Sequence, residues 1–431
     1  MLFCGLFAYS TDDIFVALGG LTQFVHHSQN VSLGLENVAG QPPTPDFTES
    51  ARKIESFFVW HRFCIDVYML ELSCLLAKGE DGMKGKMKAA VIHGLKDIRC
   101  ERVDIPAIGG QDVLVKVKYA GICGSDIPRA MISGARKYPL ILGHEFCGEI
   151  AEVGTKVTGL AVGDRVAVAP LIPCGTCEYC RGGNFGLCEQ YNIIGTGSDG
   201  AFAEYTKVPA RHILPLPDSL DYETAAGIEP ATIGYHGVAK SGIAAGDTAV
   251  VMGCGPIGQL TLQWAKLFGA ARVIAVDIFP EKLELAKTLG ADIVVNAREC
   301  DPVQRIKEIT GGGAQVALET AGSKITQEQA ILAVKKHGKV VFLGISHSEL
   351  LLQEKSIEAV LRGEISIQGS WNSYSAPYPG KAWQATVEFM AQGKLAFKPM
   401  ISHKIKLEEL ARYLDDIANR RISFNKVLVA L

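Results

Sequence analysis

The chain has 431 residues, of which 48% are hydrophobic and 21% charged, and its formal net charge is -3. That balance describes a globular protein of about two domains and excludes the basic excess that nucleic-acid binding requires. No apolar run reaches the ~18 residues of a membrane span, and the opening MLFCGLFAYSTDD lacks a signal-peptide pattern, so a cytoplasmic protein with no membrane or nucleic-acid partner is expected.

Residues 1–86 carry no sustained period, a Pro-rich GQPPTPD, and aromatic patches such as SFFVWHRF without matching amphipathic structure. We expect a non-native or disordered leader. The stretch AKGED, at 77–81, is what the purine-rich codons of a ribosome-binding site spell when translated, which places the authentic start at Met83 or Met87. From Met87 the chain gives short β-rich segments with glycine turns: KAAVIHG, DVLVKVKYAG, FCGEIAEVG and GDRVAVAP. This texture predicts a partly antiparallel, barrel-like domain over 87–235. From about Gly246 strands and helices alternate: TAVVMGC, PIGQLTLQWAKLFG, RVIAVDI, PEKLELAKTLG, DIVVN, DPVQRIKEIT, QVALET, KITQEQAILAVKKHG and KVVFLGI. Such alternation predicts βαβ units and a doubly wound parallel sheet over 236–368. After EISIQGSW, a helix in LEELARYLDDIANRR and a strand in KVLVAL, within 369–431, return to the first domain.

Twelve cysteines are too few for a disulfide scaffold in a chain this long, but four stand together. Cys174, Cys177, Cys180 and Cys188, in a lobe over 171–190, follow the spacing C-x2-C-x2-C-x7-C. One loop with that spacing closes tetrahedrally on zinc. The iron–sulfur alternative fits less well, because the ferredoxin run has a short final spacing followed by proline and here Glu189 follows. Four thiolates leave no open coordination position, so this zinc is expected to be structural.

VVMGCGPIG is a G-x-G-x-x-G motif, Gly253, Gly255 and Gly258, between an expected strand and an expected helix. The first glycine permits the turn, the second lets backbone approach a pyrophosphate, and the helix N-terminus favours its charge. Asp277 ends the next strand at the offset where a carboxylate meets the adenosine ribose. Ile278 and Phe279 follow it rather than arginine, so a 2′-phosphate would meet repulsion without compensation, and NAD is preferred to NADP. Gly253, Gly255, Pro256, Ile257, Gly258, Asp277 and Lys282 are the expected cofactor-binding set.

Cys123, in GICGSD, reads by itself as a buried small hydrophobe, a nucleophile or a metal ligand. His144 and Glu145, in LGHEFCGEI, and Glu229, in GIEPATIGYHG, add an imidazole and carboxylates on separated loops. A catalytic zinc takes three such ligands and keeps a fourth position open.

In this order GICGSD, GHEFCGEIAEVG, GDRVAV, the four-cysteine lobe, EP before a helix and GCGPIG resemble the zinc-dependent medium-chain dehydrogenase/reductase family, from Met87 to Leu431. The resemblance implies a GroES-like catalytic domain and a Rossmann domain, two zinc ions per chain, NAD, and a homodimer or homotetramer. It puts the catalytic zinc on Cys123, His144 and Glu229, with Glu145 as an adjacent or alternating ligand, and the proton-relay hydroxyl on Ser125. Pro128 stands where many members carry a histidine that passes the proton to solvent. CGSDIPRA, YPLILGHEF and GSWNSYSAPYPG are most similar to members that oxidise polyols or polyol phosphates. Sorbitol-like polyols, L-threonine or vicinal diols are alternative substrates, and a non-catalytic zinc- and NAD-binding redox sensor is the alternative of another class. Arg129, six residues after Cys123, suits a substrate phosphate, and Lys137, Asn372 and Tyr374 are candidates to complete its pocket.

Overall fold

The computed structural model describes residues 82–346 and 348–431 in full and, within the unit Met1–Cys74, only the backbone of three strands. Those strands, Leu6–Ala8, Ile14–Leu18 and Leu21–Thr22, pair antiparallel in chain order. The rest of the expected leader, as far as residue 81, lies outside the described residues. No helix among the described residues is long and apolar enough to cross a membrane.

The unit Leu75–Leu431 contains two large sheets. In the first, the order is Ile213–Pro215, Arg165–Val168, Glu145–Val153, Asp112–Gly121, Lys426–Ala430 and Ile401–Lys406, with Tyr205–Pro209 also on Asp112–Gly121. Every pair is antiparallel except the last two strands. A three-stranded sheet of Asp97–Asp104, Lys86–Gly94 and Leu140–Ile141 completes this GroES-like part. Alternation of apolar residues drives it: in DVLVKVKYAG, Val113, Val115 and Val117 are fully buried while Lys116 is exposed. The C-terminal strand does return, pairing Leu428 with Gly121 and Ala430 with Tyr119.

The second sheet is wholly parallel and runs Ile293–Asn296, Arg272–Asp277, Thr248–Met252, Ala314–Glu319, Val334–Phe342 and Ser366–Gly369. That order reverses direction between Thr248–Met252 and Ala314–Glu319, the crevice where dinucleotide-binding folds take their ligand. Pro256–Leu267 follows the first strand and Pro280–Thr288 the second, each opening on proline at its first helical position, where a missing N–H is harmless.

Two local expectations change. The helix expected through Gly338 ends at Ala333, because Val334 already pairs with Ala314 and the strand resumes at Lys339 after a register shift, with His337 left-handed at φ 57°. The helix Ile228–Ser241 runs through the expected boundary at 235/236, and Lys381–Ala391 packs against it. Trp264 fastens these helices. Fully buried, it donates its indole N–H to Ala231 O at 2.8 Å and meets Tyr235 and Phe389 with ring centroids 5.0 and 5.4 Å away. Trp264→Ala should therefore lower unfolding free energy by ~3–5 kcal/mol, read as a shifted urea midpoint.

Candidate metal and cofactor sites

Three neighbouring strands bring a set of buried ionisable groups together. Glu145 begins its strand directly opposite Gly121, and Ile122 N–H donates to Val427 O, which draws the segments before Cys123 and after Lys426 to the same place. A side chain at Gly121 would collide with the Glu145 carboxylate. Ligand atoms of Cys123, His144 and Glu145 all lie within 4.8 Å of one another. Glu229, in the first turn of Ile228–Ser241, stands outside that grouping but within electrostatic reach of all three. The carboxylate gathered with the thiol and imidazole is thus Glu145, where the resemblance put Glu229 first.

The pocket is acidic. Burial pushes the Cys123 thiol far above its ordinary range, and the Glu145 and Asp126 carboxylates add to it. Burial also raises Asp126, and brings Glu229 to about 7 against the opposing pull of His144. One buried ammonium answers these acids: Lys426 is 2% exposed and donates to Glu145 Oε2 at 2.5 Å and to Ile122 O at 3.0 Å. Burial alone would lower Lys426, but its acidic surroundings, the Glu145 carboxylate first, outweigh it and hold the ammonium above its usual value. Two buried atoms have no hydrogen-bond partner, His144 Nδ1 and Asp126 Oδ1, which face each other at 3.5 Å. A thiol, an imidazole and a carboxylate around an excess of buried negative charge fit a divalent cation of borderline softness such as zinc. Asp126, whose Oδ2 accepts the Cys123 N–H at 2.9 Å, orients both the cysteine loop and the imidazole.

Ser125 Oγ lies 3.3 Å from Cys123 Sγ, its hydroxyl at the edge of the metal pocket. Arg129 is half-buried and donates to the Ser125 carbonyl at 2.7 Å, so it braces this turn whatever else it binds. Lys137 and Tyr374, candidates for the phosphate pocket, stand in different surroundings, Tyr374 within electrostatic reach of Glu229. Lys137 lines a cavity of about 470 Å³ on the GroES-like part, walled by residues such as Asp104, Asp199 and Lys207 and by none of the metal-pocket groups. Tyr374 is 7% exposed, and its phenol oxygen accepts the Leu171 N–H at 3.2 Å, an anchor for the chain entering the cysteine lobe. Asn372 keeps an unpartnered buried amide nitrogen.

In the lobe, ligand atoms of Cys174, Cys177, Cys180 and Cys188 lie within 4.8 Å of one another, and Cys174 Sγ is 3.9 Å from Cys180 Sγ. Zinc–sulfur bonds of ~2.3 Å in a tetrahedron put the sulfurs ~3.8 Å apart, so the arrangement fits. Amide N–H groups of Thr176 and Cys177 point at Cys174 Sγ at 3.5 and 3.4 Å, and those bonds with the Thr176 hydroxyl lower this thiol to about 6. At Cys174 the thiolate that a metal requires is thus favoured, while burial pushes the Cys180 thiol up to about 12.

At the parallel sheet, Gly253 is left-handed at φ 98°, and a Cβ on Gly258 would strike the Gly253 carbonyl oxygen. Nothing lies within 4 Å of where a Gly255 Cβ would be, so backbone there is open to a pyrophosphate. Pro256 and Ile257 open the helix beneath it. Asp277 closes the loop from the next strand: Oδ2 accepts the Cys254 N–H at 2.6 Å, and Oδ1 accepts Ile278 N–H at 2.7 Å and Phe279 N–H at 3.0 Å. Lys282 Nζ rests over the Phe279 ring at 4.9 Å.

Asp126 and Lys426 escape a reading of sequence motifs. Their signal was present, a carboxylate inside CGSD and a single charge opening the apolar KVLVAL, yet only strand pairing shows whom they face. Lys426→Met should leave Glu145 buried without its counter-ion and lower stability by ~3–5 kcal/mol. The double variant Glu145→Gln/Lys426→Met should recover much of that loss in urea unfolding, the excess over additivity measuring the pair.

Comparison with known proteins agrees with this geometry. The family profile of the alcohol dehydrogenase GroES-like domain matches residues 109–218, and that of the zinc-binding dehydrogenases matches 256–392. The chain is 38% identical over 347 residues to galactitol 1-phosphate 5-dehydrogenase of Escherichia coli K12, covering 80% of this chain and 100% of that protein. The crystal structure of the Escherichia coli galactitol-1-phosphate dehydrogenase superposes with a TM-score of 0.76 at 36% identity, over 80% of this chain and 100% of its own. Sorbitol dehydrogenase of Bacillus subtilis is 39% identical over 330 residues, 75% of this chain and 91% of that one. A zinc-binding dehydrogenase from Sinorhizobium meliloti 1021, solved bound to NADP, has a TM-score of 0.74 and 34% identity over 80% of this chain and 100% of its own. The chain therefore belongs to the zinc-dependent medium-chain dehydrogenase/reductase family and is an oxidoreductase of the alcohol-oxidising kind.

Proposed function

We propose that the protein oxidises a secondary alcohol of a polyol phosphate, galactitol 1-phosphate to the keto-sugar phosphate tagatose 6-phosphate, with NAD as hydride acceptor. The observation that carries the reading is the grouping of half-buried Cys123 with buried His144 and Glu145, Glu229 beside it, on a scaffold whose glycine loop suits a dinucleotide. Those residues would hold a catalytic zinc, and Cys174, Cys177, Cys180 and Cys188 would hold a structural one. When bound, the catalytic zinc supplies Lewis acidity that lowers the pKa of an alcohol, and NAD supplies the hydride acceptor.

The chain's own groups do the rest. Ser125 Oγ receives the hydroxyl proton and releases its own toward water. Pro128 offers no imidazole for a longer relay, so solvent at the half-buried Ser125 is the exit. Asp126 stands against His144, and Lys426 pairs with the Glu145 carboxylate beside Glu229 and Cys123. Arg129 presents its charge one helical turn beyond Ser125, where it draws a substrate phosphate, and the Asn372 amide donates nearby. The protons and electrons balance: alcohol and NAD⁺ give ketone, NADH and one proton.

Self-association belongs to the same reading. Ser366–Gly369 is an exposed edge of the parallel sheet, with Ile367 on it, Trp371 just beyond, and Ile357 and Leu361 one helical turn apart on the neighbouring helix, all exposed. A second copy of the chain, pairing edge to edge about a two-fold axis, covers such a surface.

A panel of free and phosphorylated hexitols, followed by NADH absorbance, tests the substrate. Galactitol 1-phosphate should be turned over best; a preference for free sorbitol would move the assignment to that polyol. Arg129→Ala should raise KM for the phosphate ester strongly and leave free polyol oxidation nearly unaltered, whereas equal losses would leave it only the brace of the Ser125 carbonyl. Ser125→Ala should lower turnover by ~10²–10⁴-fold with NAD affinity kept. For the edge, Ile367→Lys/Trp371→Lys should shift the mass in sedimentation from oligomer to monomer.

A further inference from the structure

We propose that the adenosine end of the cofactor cleft also admits a 2′-phosphate, so that the protein binds NADP as well as NAD, with Arg298 as the residue that reads the phosphate. The inference rests on the dinucleotide site described above and concerns only its choice between two cofactors. Sequence order hides Arg298, which stands 21 residues after Asp277, but strand pairing brings it back. Asp277 and Asn296 are register partners at the ends of adjacent parallel strands, and Ala297 N–H donates to Asp277 O at 3.0 Å. Arg298 is the next residue. Its loop is fixed by Asn296, whose Oδ1 accepts the Arg298 N–H at 3.0 Å and whose Nδ2 donates to Glu299 at 2.5 Å.

From there the guanidinium packs over the Phe279 ring at 5.1 Å, and Lys282 Nζ packs over the same ring at 4.9 Å. Phe279 is two residues beyond Asp277 and donates its N–H to that carboxylate. Two cations are therefore held beside the acid that faces the ribose. Asp277 meanwhile accepts three backbone N–H bonds, from Cys254, Ile278 and Phe279. Those bonds offset its charge and tie its oxygens to the protein's own loops. Two acids lie close by: Glu299, whose carboxylate accepts from Asn296 Nδ2, and Glu281, whose carboxyl is held below its ordinary range by its own backbone N–H and the Ser423 hydroxyl, with smaller contributions from Lys282 and Arg298. Exclusion of NADP by an aspartate depends on unopposed repulsion, and an arginine nearby is what accommodates a 2′-phosphate. A guanidinium already oriented by an aromatic ring gives a phosphate two parallel donors with little further ordering.

Calorimetric titration of the zinc-loaded enzyme with 5′-AMP, 2′,5′-ADP, NAD and NADP isolates the adenosine end from catalysis. Wild type should bind 2′,5′-ADP and NADP. Arg298→Ala should weaken both by about 10- to 100-fold, the worth of a charge-assisted contact, while 5′-AMP and NAD change by less than about twofold. Arg298→Lys should restore part of the loss. Binding of 5′-AMP without 2′,5′-ADP would overturn the inference and leave the NAD-linked function standing. So would equal weakening of all four ligands, which would mean that the guanidinium packs against the base. Loss of every nucleotide from wild type would overturn the inference together with the dinucleotide site on which it rests.

Discussion

The structure turns on a local excess of acidic groups with little access to water. Cys123, Asp126, Glu145 and Glu229 converge where three strands and a helix start or end, and the only protein ammonium buried among them in the described residues is Lys426. Removing carboxylates from water is expensive unless opposite charge accompanies them, and one lysine cannot answer four acids. Folding can keep this cluster only if some stay protonated or a cation joins them. Burial favours the first outcome at Cys123 and Glu229, and a divalent cation would reverse it by making the thiolate and carboxylates its ligands. The same charges that make the pocket costly without a cation suit it to a metal, and under the proposed function a metal there would help an alcohol to lose its proton.

Around that pocket the two sheets divide the work. Antiparallel strands position the ligands through their register: Glu145 opposite Gly121 and Val427 against Ile122 bring the carboxylate and the ammonium together. The parallel sheet does something different, exposing backbone at Gly255 and the carboxyl ends of its strands to a long, charged cofactor. The helix Ile228–Ser241 belongs to both, since it carries Glu229 at its first turn and packs along Pro256–Leu267.

Much of this was legible in the order of residues. Short-range chemistry reads directly: the spacing of Cys174, Cys177, Cys180 and Cys188 fixes a loop, and Gly253, Gly255 and Gly258 fix a turn, because each needs only its own neighbours. Long-range chemistry reads poorly. Lys426 lies 281 residues from Glu145, Arg298 is brought to Asp277 only by the pairing of two strands, and Tyr374 has its hydroxyl engaged by Leu171 from a distant segment. Lys137 shows the opposite error, since closeness in sequence to Cys123 and His144 did not bring it to their pocket. The expected helix through Gly338 failed for a similar reason: pairing of Val334 with Ala314 overrode a locally acceptable helix.

The proposed function requires two zinc ions per chain in unlike surroundings, a four-sulfur lobe and a mixed pocket at Cys123, His144 and the two glutamates. X-ray absorption at the zinc edge of the purified enzyme tests it most directly. The account predicts two zinc ions per chain and a mixed first shell, sulfur at ~2.3 Å together with nitrogen and oxygen at ~2.0–2.2 Å. A single ion per chain in an all-sulfur shell would contradict it, leaving the buried acids without the cation on which the proposed chemistry depends.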